Sequence, residues 1–127
     1  MDQERISELE TNVQEDNPSY SYYDKIIDTV KSYLYKNYQI ATLSSTSELV
    51  HLNPNYLSTL FKDITGENFS DFLLRVRMEE AATLLNDIRY KTYEISELVG
   101  YSNPKNFTRA FKKYFGVTPT EFRNPST

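Results

Sequence analysis

Two stretches of this sequence carry the side chains best suited to recognising another molecule. Near the middle, Asn55, Ser58, Thr59 and Lys62 follow an Asn53-Pro54 pair. Near the end, Lys105, Asn106, Arg109, Lys112 and Lys113 follow Asn103-Pro104. On a helix each set lies along one face, because residues three, four and seven apart stack over one another. Lys and Arg neutralise phosphates. In the major groove of a duplex, Arg pairs bidentately with guanine and Asn with adenine, and Ser and Thr read less selectively. Other chemistry has little to work with. There is no cysteine, which excludes disulfides, thiolate metal sites and cysteine nucleophiles and fits a reduced intracellular setting. The one histidine, His51, has no second ligand near it in sequence and reads as a helix-end residue, where a cation is favoured. No constellation suggests an enzyme, a metal site, a cofactor or a small-molecule ligand in this domain. No apolar run approaches the ~20 residues that span a bilayer, and no signal peptide opens the chain, so a cytoplasmic protein without membrane contact is expected.

Helices must position those side chains. Ile26, Ile27, Val30, Tyr33, Leu34 and Tyr38 recur every three to four residues and predict a first helix over about 24–38. Ser45 and Glu48 have capping-box spacing and predict a second, from Ser45 to about His51. Asn53-Pro54 starts a third with a capping Asn and a first-turn Pro, and Gly66 stops it. Asn68 opens a long fourth helix to about Asn86, with Phe69, Phe72, Leu73, Val76, Ala81, Leu84 and Leu85 inward. A fifth runs from Thr92 to Gly100, a sixth from Asn103-Pro104 to Gly116, and a short seventh starts at Thr118-Pro119 with Glu121. Nothing alternates in strand fashion, so the fold is all-α.

The chain repeats itself. Ser47-Glu48-Leu49-Val50 recurs 49 residues on as Ser96-Glu97-Leu98-Val99. Asn53-Pro54 recurs as Asn103-Pro104, now 50 residues on, and the same offset relates Leu57 to Phe107, Ser58 to Thr108, Phe61-Lys62 to Phe111-Lys112, and Gly66 to Gly116. Each copy is a short helix, a tight turn and a longer helix, the outline of a helix-turn-helix. Leu57, Leu60, Phe61 and Ile64 form the buried face of one longer helix; Phe107, Ala110, Phe111 and Tyr114 form that of the other. Ser47 and Ser96 are small enough for the two helices of a unit to approach closely. The expected organisation is a tail over 1–23, a first helix-turn-helix subdomain over 24–67, a linker helix over 68–88 and a second helix-turn-helix subdomain over 89–127.

Charge follows this division. The chain carries a net −4, which taken alone argues against an anionic partner. Residues 1–23 hold six acidic groups against Arg5, a net of −5; residues 24–88 hold six basic and nine acidic groups, a net of −3; residues 89–127 hold seven basic and three acidic groups, a net of +4. The basic end coincides with the second unit and suggests that this end meets an anion. In the tail, Ile6, Leu9 and Val13 form one apolar stripe, which reads as a partly disordered segment or the stub of an upstream helix.

From about residue 42 to 123 the chain resembles the DNA-binding domain of AraC/XylS-type bacterial transcription regulators. The resemblance rests on Asn53-Pro54-Asn55-Tyr56-Leu57-Ser58 with Phe61-Lys62 and Gly66; on Arg77, Ala81 and Leu84-Leu85; and on Glu94-Ile95, Val99-Gly100-Tyr101, Phe107-Thr108-Arg109, Phe111-Lys112-Lys113, Gly116-Val117-Thr118-Pro119 and Phe122-Arg123. It implies a seven-helix, homeodomain-like fold with two helix-turn-helix subdomains joined by a long linker helix, whose recognition helices enter successive major grooves of double-stranded DNA. Carried over by position, Asn55, Ser58, Thr59, Lys105, Asn106 and Arg109 would face bases. The helix starts Asn53 and Ser102, with Lys62, Lys112 and Lys113, would meet phosphates. Arg77 matches a characteristic arginine of the linker, as a structural residue or a DNA contact. The chain departs from the family pattern at Thr46-Ser47, where Leu-Ala is usual, and at Ser96, where Ala is usual. The Asn-Pro-Asn-Tyr and Gly-Glu-Asn-Phe wording resembles the branch in which this domain ends a response regulator; the resemblance implies RNA polymerase or an upstream sensing or receiver domain as a partner. The competing class is a helical protein–protein module, an anti-regulator without DNA binding, which the acidic balance and the uncharged Asn55/Ser58/Thr59 face favour.

Overall fold

The computed structural model describes residues 20–125; residues 1–19 of the tail, with the Ile6, Leu9 and Val13 stripe, lie outside the described residues, and Tyr22 and Tyr23, read as tail, belong to the first helix. Among these residues there are seven helices and no strand: α1 (Tyr22–Asn37), α2 (Leu43–Leu49), α3 (Pro54–Thr65), α4 (Phe69–Leu85), α5 (Thr92–Leu98), α6 (Pro104–Phe115) and α7 (Pro119–Arg123). This is the all-α, seven-helix architecture that the caps and apolar periods predict.

Helix starts follow side-chain caps, and two lie earlier than the periodicity predicts. Ser21 and Asp24 form a capping box that begins α1 at Tyr22, two residues ahead of the apolar pattern. The start expected at Ser45 belongs to Thr42. Its Oγ accepts from the Ser45 amide at 2.9 Å, and the Ser45 Oγ accepts from the Thr42 amide at 3.0 Å. Ser45 is thus the inner partner of the box, and α2 starts one turn sooner than its own spacing with Glu48 suggests. Asn53, Asn68, Asn103 and Thr118 cap α3, α4, α6 and α7 as read. Gly66 and Gly116 end α3 and α6 with φ of +81° and +86°.

There are two hydrophobic cores, and α4 serves both. Ile26, Ile27, Val30 and Leu34 of α1 pack with Ala41, Leu57, Phe61, Phe69, Phe72, Leu73 and Val76. Met78, Ala81, Leu85, Ile95, Val99, Phe107 and Phe111 form the second core. The boundary falls inside α4, between Val76 and Met78. Phe72 meets Phe61 edge-on at 5.3 Å between ring centroids, and Phe122 meets Phe111 edge-on at 5.5 Å. Corresponding members of the two pairs are again 50 residues apart, so the first turns of α4 cover α3 as the short α7 covers α6. The repeat therefore extends past Gly66 and Gly116, through the caps Asn68 and Thr118.

The buried serines pack as read. Ser47 and Ser96 are 2% and 1% exposed, and Thr46 is fully buried, so each hydroxyl needs a partner. Thr46 donates to the Thr42 carbonyl at 2.7 Å, Ser47 to the Ser44 carbonyl at 2.9 Å, and Ser96 to the Tyr101 carbonyl at 3.4 Å. Backbone acceptors near in sequence thus accommodate the hydroxyls that replace the usual Leu-Ala and Ala.

Phe61 and Phe111 are the equivalent anchors of the two cores, both fully buried. Phe61→Ala and Phe111→Ala are each expected to destabilise the chain by about 3–5 kcal/mol in urea unfolding, the usual range for emptying a packed phenyl site.

Candidate nucleic-acid interface

The two longer helices, α3 and α6, expose the same positions. Residue by residue from 53 to 66 and from 103 to 116, buried, half-buried and exposed classes coincide. Leu57 and Phe61 are buried, as are Phe107 and Phe111; Leu60 and Ala110 are half-buried; Ile64 and Tyr114, expected inside, are exposed at 37% and 39%. What remains outward is the polar face. Asn53, Asn55, Thr59 and Lys62 are exposed on α3 and at its cap, with Ser58 half-buried beside them. Ser102, Lys105, Asn106, Arg109, Lys112 and Lys113 are exposed on and before α6.

Several of these side chains already have partners. The Asn53 amide oxygen accepts from the Asn55 and Tyr56 backbone N–H groups at 2.8 and 3.4 Å. The Asn103 amide oxygen accepts from the Lys105 N–H at 2.9 Å. Asn103, not Ser102, is therefore the helix start equivalent to Asn53, and Ser102 stands one residue ahead of the cap. The Lys62 ammonium donates to the Gly66 carbonyl at 3.3 Å, where it complements the negative end of α3. Arg109 Nη1 donates to the Asn106 amide oxygen at 3.1 Å, so these two side chains are held as a pair. Pro104, Lys105, Thr108 and Arg109 line a shallow hollow of about 360 Å³ at the amino end of α6.

The electrostatics of the two faces differ. In α6, Lys105, Arg109, Lys112 and Lys113 stand without any acidic residue in the helix. In α3, Lys62 is followed by Asp63, and the helix has no net charge. Beyond the end of α6, hydrogen bonding to Thr118 holds the Glu121 carboxyl below the usual carboxylate range, and the charge of Lys112 adds to this.

Arg77 is not on this surface. Its Nε donates to the Tyr38 carbonyl at 2.7 Å and its Nη2 to the Ala41 carbonyl at 3.3 Å, and burial holds its pKa below the ordinary arginine value. Arg123 repeats the arrangement in the second unit, with Nε to the Leu85 carbonyl at 2.9 Å and Nη2 to the Asp87 carbonyl at 3.2 Å. Each guanidinium bonds one carbonyl at the carboxyl end of a helix, Tyr38 at the cap of α1 or Leu85 in the last turn of α4, and a second in the segment that follows, Ala41 or Asp87. Of the two roles open for Arg77, the structural one is occupied.

Residues 46–125 match the family model for a helix-turn-helix domain. The chain belongs to the AraC-type helix-turn-helix family. It is 44% identical over 81 residues to the transcriptional regulatory protein YesN of Bacillus subtilis, covering 62% of this chain and 22% of that protein. The C-terminal domain of AraT, a response regulator from Geobacillus stearothermophilus, superposes with a TM-score of 0.77 at 35% identity, covering 84% of this chain and 90% of that one. The DNA-binding domain of AdpA, solved in complex with a target DNA, shares the fold at 16% identity with a TM-score of 0.68, covering 81% of this chain and 90% of that one. The chain spans between 13% and 40% of the length of the curated relatives it matches first.

Within this AraC-type frame the structure adds two residues to the polar faces. Thr108, half-buried on α6, occupies the place of Ser58, and Tyr56, exposed on α3, occupies the place of Asn106. The Tyr56 phenol is hydrogen-bonded to Tyr23 of α1, which pushes its pKa up. The offset of 50 applied to Ser58 and Asn106 finds both in the sequence.

The cap assignment is open to measurement. Asn103→Ala is expected to cost about 0.5–2 kcal/mol in urea unfolding, the usual worth of an Asn cap, and Ser102→Ala to leave stability within ~0.5 kcal/mol.

Proposed function

We propose that this chain is the double-stranded DNA reader of a longer bacterial transcription regulator, with α3 and α6 as its two recognition helices. The observation that carries this reading is the exposed cationic face of α6, in which Lys105, Arg109, Lys112 and Lys113 stand with Asn106 and no acid. That face repeats the position of the polar face of α3, so both units present a helix in the same manner. AdpA's domain, which has this fold, is bound to a target DNA, and the relatives are regulatory proteins.

Lys105, Asn106 and Arg109 supply most of the base discrimination, and Asn55, Ser58 and Thr59 a weaker contribution from α3. Lys112, Lys113, Lys62, Asn53 and Ser102 meet phosphates. Helix α4, 17 residues long, spans about 25 Å at 1.5 Å per residue. Successive major-groove faces lie about 34 Å apart. A helix of this order, with a recognition helix beyond each end, suits two successive grooves. The rest of the regulator supplies a sensing or receiver domain, and the protein acts in the cytoplasm with RNA polymerase as a partner.

Binding to a duplex, measured by fluorescence anisotropy across a salt series, tests the assignment. Arg109→Ala is expected to lose about 1–3 kcal/mol on a selected site and to relax specificity at one base pair. Lys112→Ala is expected to weaken all sequences alike and to shallow the salt slope by about one. Binding that is absent at low salt, or indifferent to salt, would instead support a helical protein–protein module, which the uncharged Asn55, Ser58 and Thr59 on α3 favour.

A further inference from the structure

Parts of both units converge beside α4, at the boundary between the two cores. From the loop after α1, Gln39 Nε2 donates to the Glu97 carbonyl in the last turn of α5 at 3.1 Å, across 58 residues of sequence. Tyr38, next to it, packs against both cores. Arg77, midway along α4, grips the carbonyls of Tyr38 and Ala41. The turn between α5 and α6 closes onto this group at Gly100. A Cβ there would stand 2.8 Å from the Gln39 carbonyl oxygen and 3.1 Å from both Cζ and Nε of Arg77. Tyr101 follows, half-buried, with its phenol pKa raised by burial and drawn back by the Arg77 charge.

The matching turn of the first unit shows what Gly100 is for. There His51 takes a positive φ of +60°, within the left-handed range that a residue with a side chain adopts at modest cost. A left-handed residue in this turn therefore does not by itself require glycine. Gly100 has φ of +104°, outside that range, and no space for a Cβ. The added demand comes from the other unit: the backbone at Gln39 and the guanidinium of Arg77 occupy the place of a side chain.

We propose that this junction of Gln39, Arg77 and Gly100 sets the separation and angle of α3 and α6, and thereby the half-site spacing that the protein accepts. A shared helix fixes how far apart the units lie along its axis. An off-axis hydrogen bond and a close backbone contact restrain rotation about it. The three are positioning residues: they act through α3 and α6. The first half of the proposal concerns the protein alone; the second rests on the DNA-reader function proposed above.

The full chain has no cysteine, so Asp63→Cys and Lys113→Cys place two spin labels at matching exposed positions on α3 and α6. Pulsed electron-spin distance measurement on this parent is expected to give one narrow distribution. Gln39→Ala and, separately, Gly100→Ala are expected to broaden or shift it. In a second arm, unlabelled chains are titrated with duplexes carrying two half-sites at varied separation, and with the second half-site alone. The natural chain should prefer one separation. Gln39→Ala should reduce that preference about two- to tenfold, the weight of one hydrogen bond, with unchanged binding to the lone half-site. Gln39 is exposed and its replacement leaves both cores intact, so it decides the matter if Gly100→Ala fails to fold. A distance distribution unmoved in Gln39→Ala overturns the proposal. A broadened distribution with an unmoved spacing preference overturns its second half. Absence of duplex binding by the natural chain would instead be a failure of the DNA-reader function, and the distance arm still decides the junction.

Discussion

Val76 and Met78 stand two residues apart on α4 and are buried in different cores. Residues at this spacing point to different sides of a helix, so α4 turns one face to each unit. The constraint that follows governs the molecule: one helix must satisfy two hydrophobic clusters at once, and between them it carries a charged residue. Arg77 resolves this by turning its guanidinium onto the carbonyls of Tyr38 and Ala41, where burial is compensated by hydrogen bonds to backbone at and just after the end of α1. The arginine thus ends the first unit and faces the turn that begins the second reading helix.

The internal repeat is a repeat of physics more than of residue identity. Asn68 and Thr118 differ, as do Phe69 and Pro119, yet each pair caps or opens the helix that covers a reading helix. The same edge-on phenyl pair anchors that cover in both units. Buried positions repeat because each unit must hide the same stripe of one helix beneath the same neighbours. Exposed positions are free of that demand and have diverged, with Asp63 in one unit where Lys113 stands in the other. The two units therefore share a shape and differ in charge. This is the arrangement in which one scaffold presents two unlike surfaces.

Charge along the chain fits this division. A net of −4 is compatible with a strongly cationic helix because none of the acidic groups lies within α6, and only three, Glu94, Glu97 and Glu121, fall in residues 89–127. Electrostatic attraction is felt over about a Debye length, roughly 8 Å at physiological salt, so the local face of α6 weighs more than the sum over the chain.

The sequence alone determined the helices, their order, the duplicated helix-turn-helix and the polar positions of α3 and α6. All of these depend on local signals: caps, terminating glycines, and an apolar period that recurs at a constant offset. It misplaced the start of α2, because Ser45 is chemically competent as either member of a capping box and only the backbone at Thr42 selects which. It left Arg77 undecided for a related reason. A guanidinium suits phosphate, carboxylate and carbonyl alike, and its partners here lie 36 and 39 residues away. The burial of Met78 in the second core, the contact of Gln39 with Glu97, and the crowding at Gly100 were settled only by tertiary structure. Each depends on how two units pack around one helix, and no pattern within either unit encodes that angle.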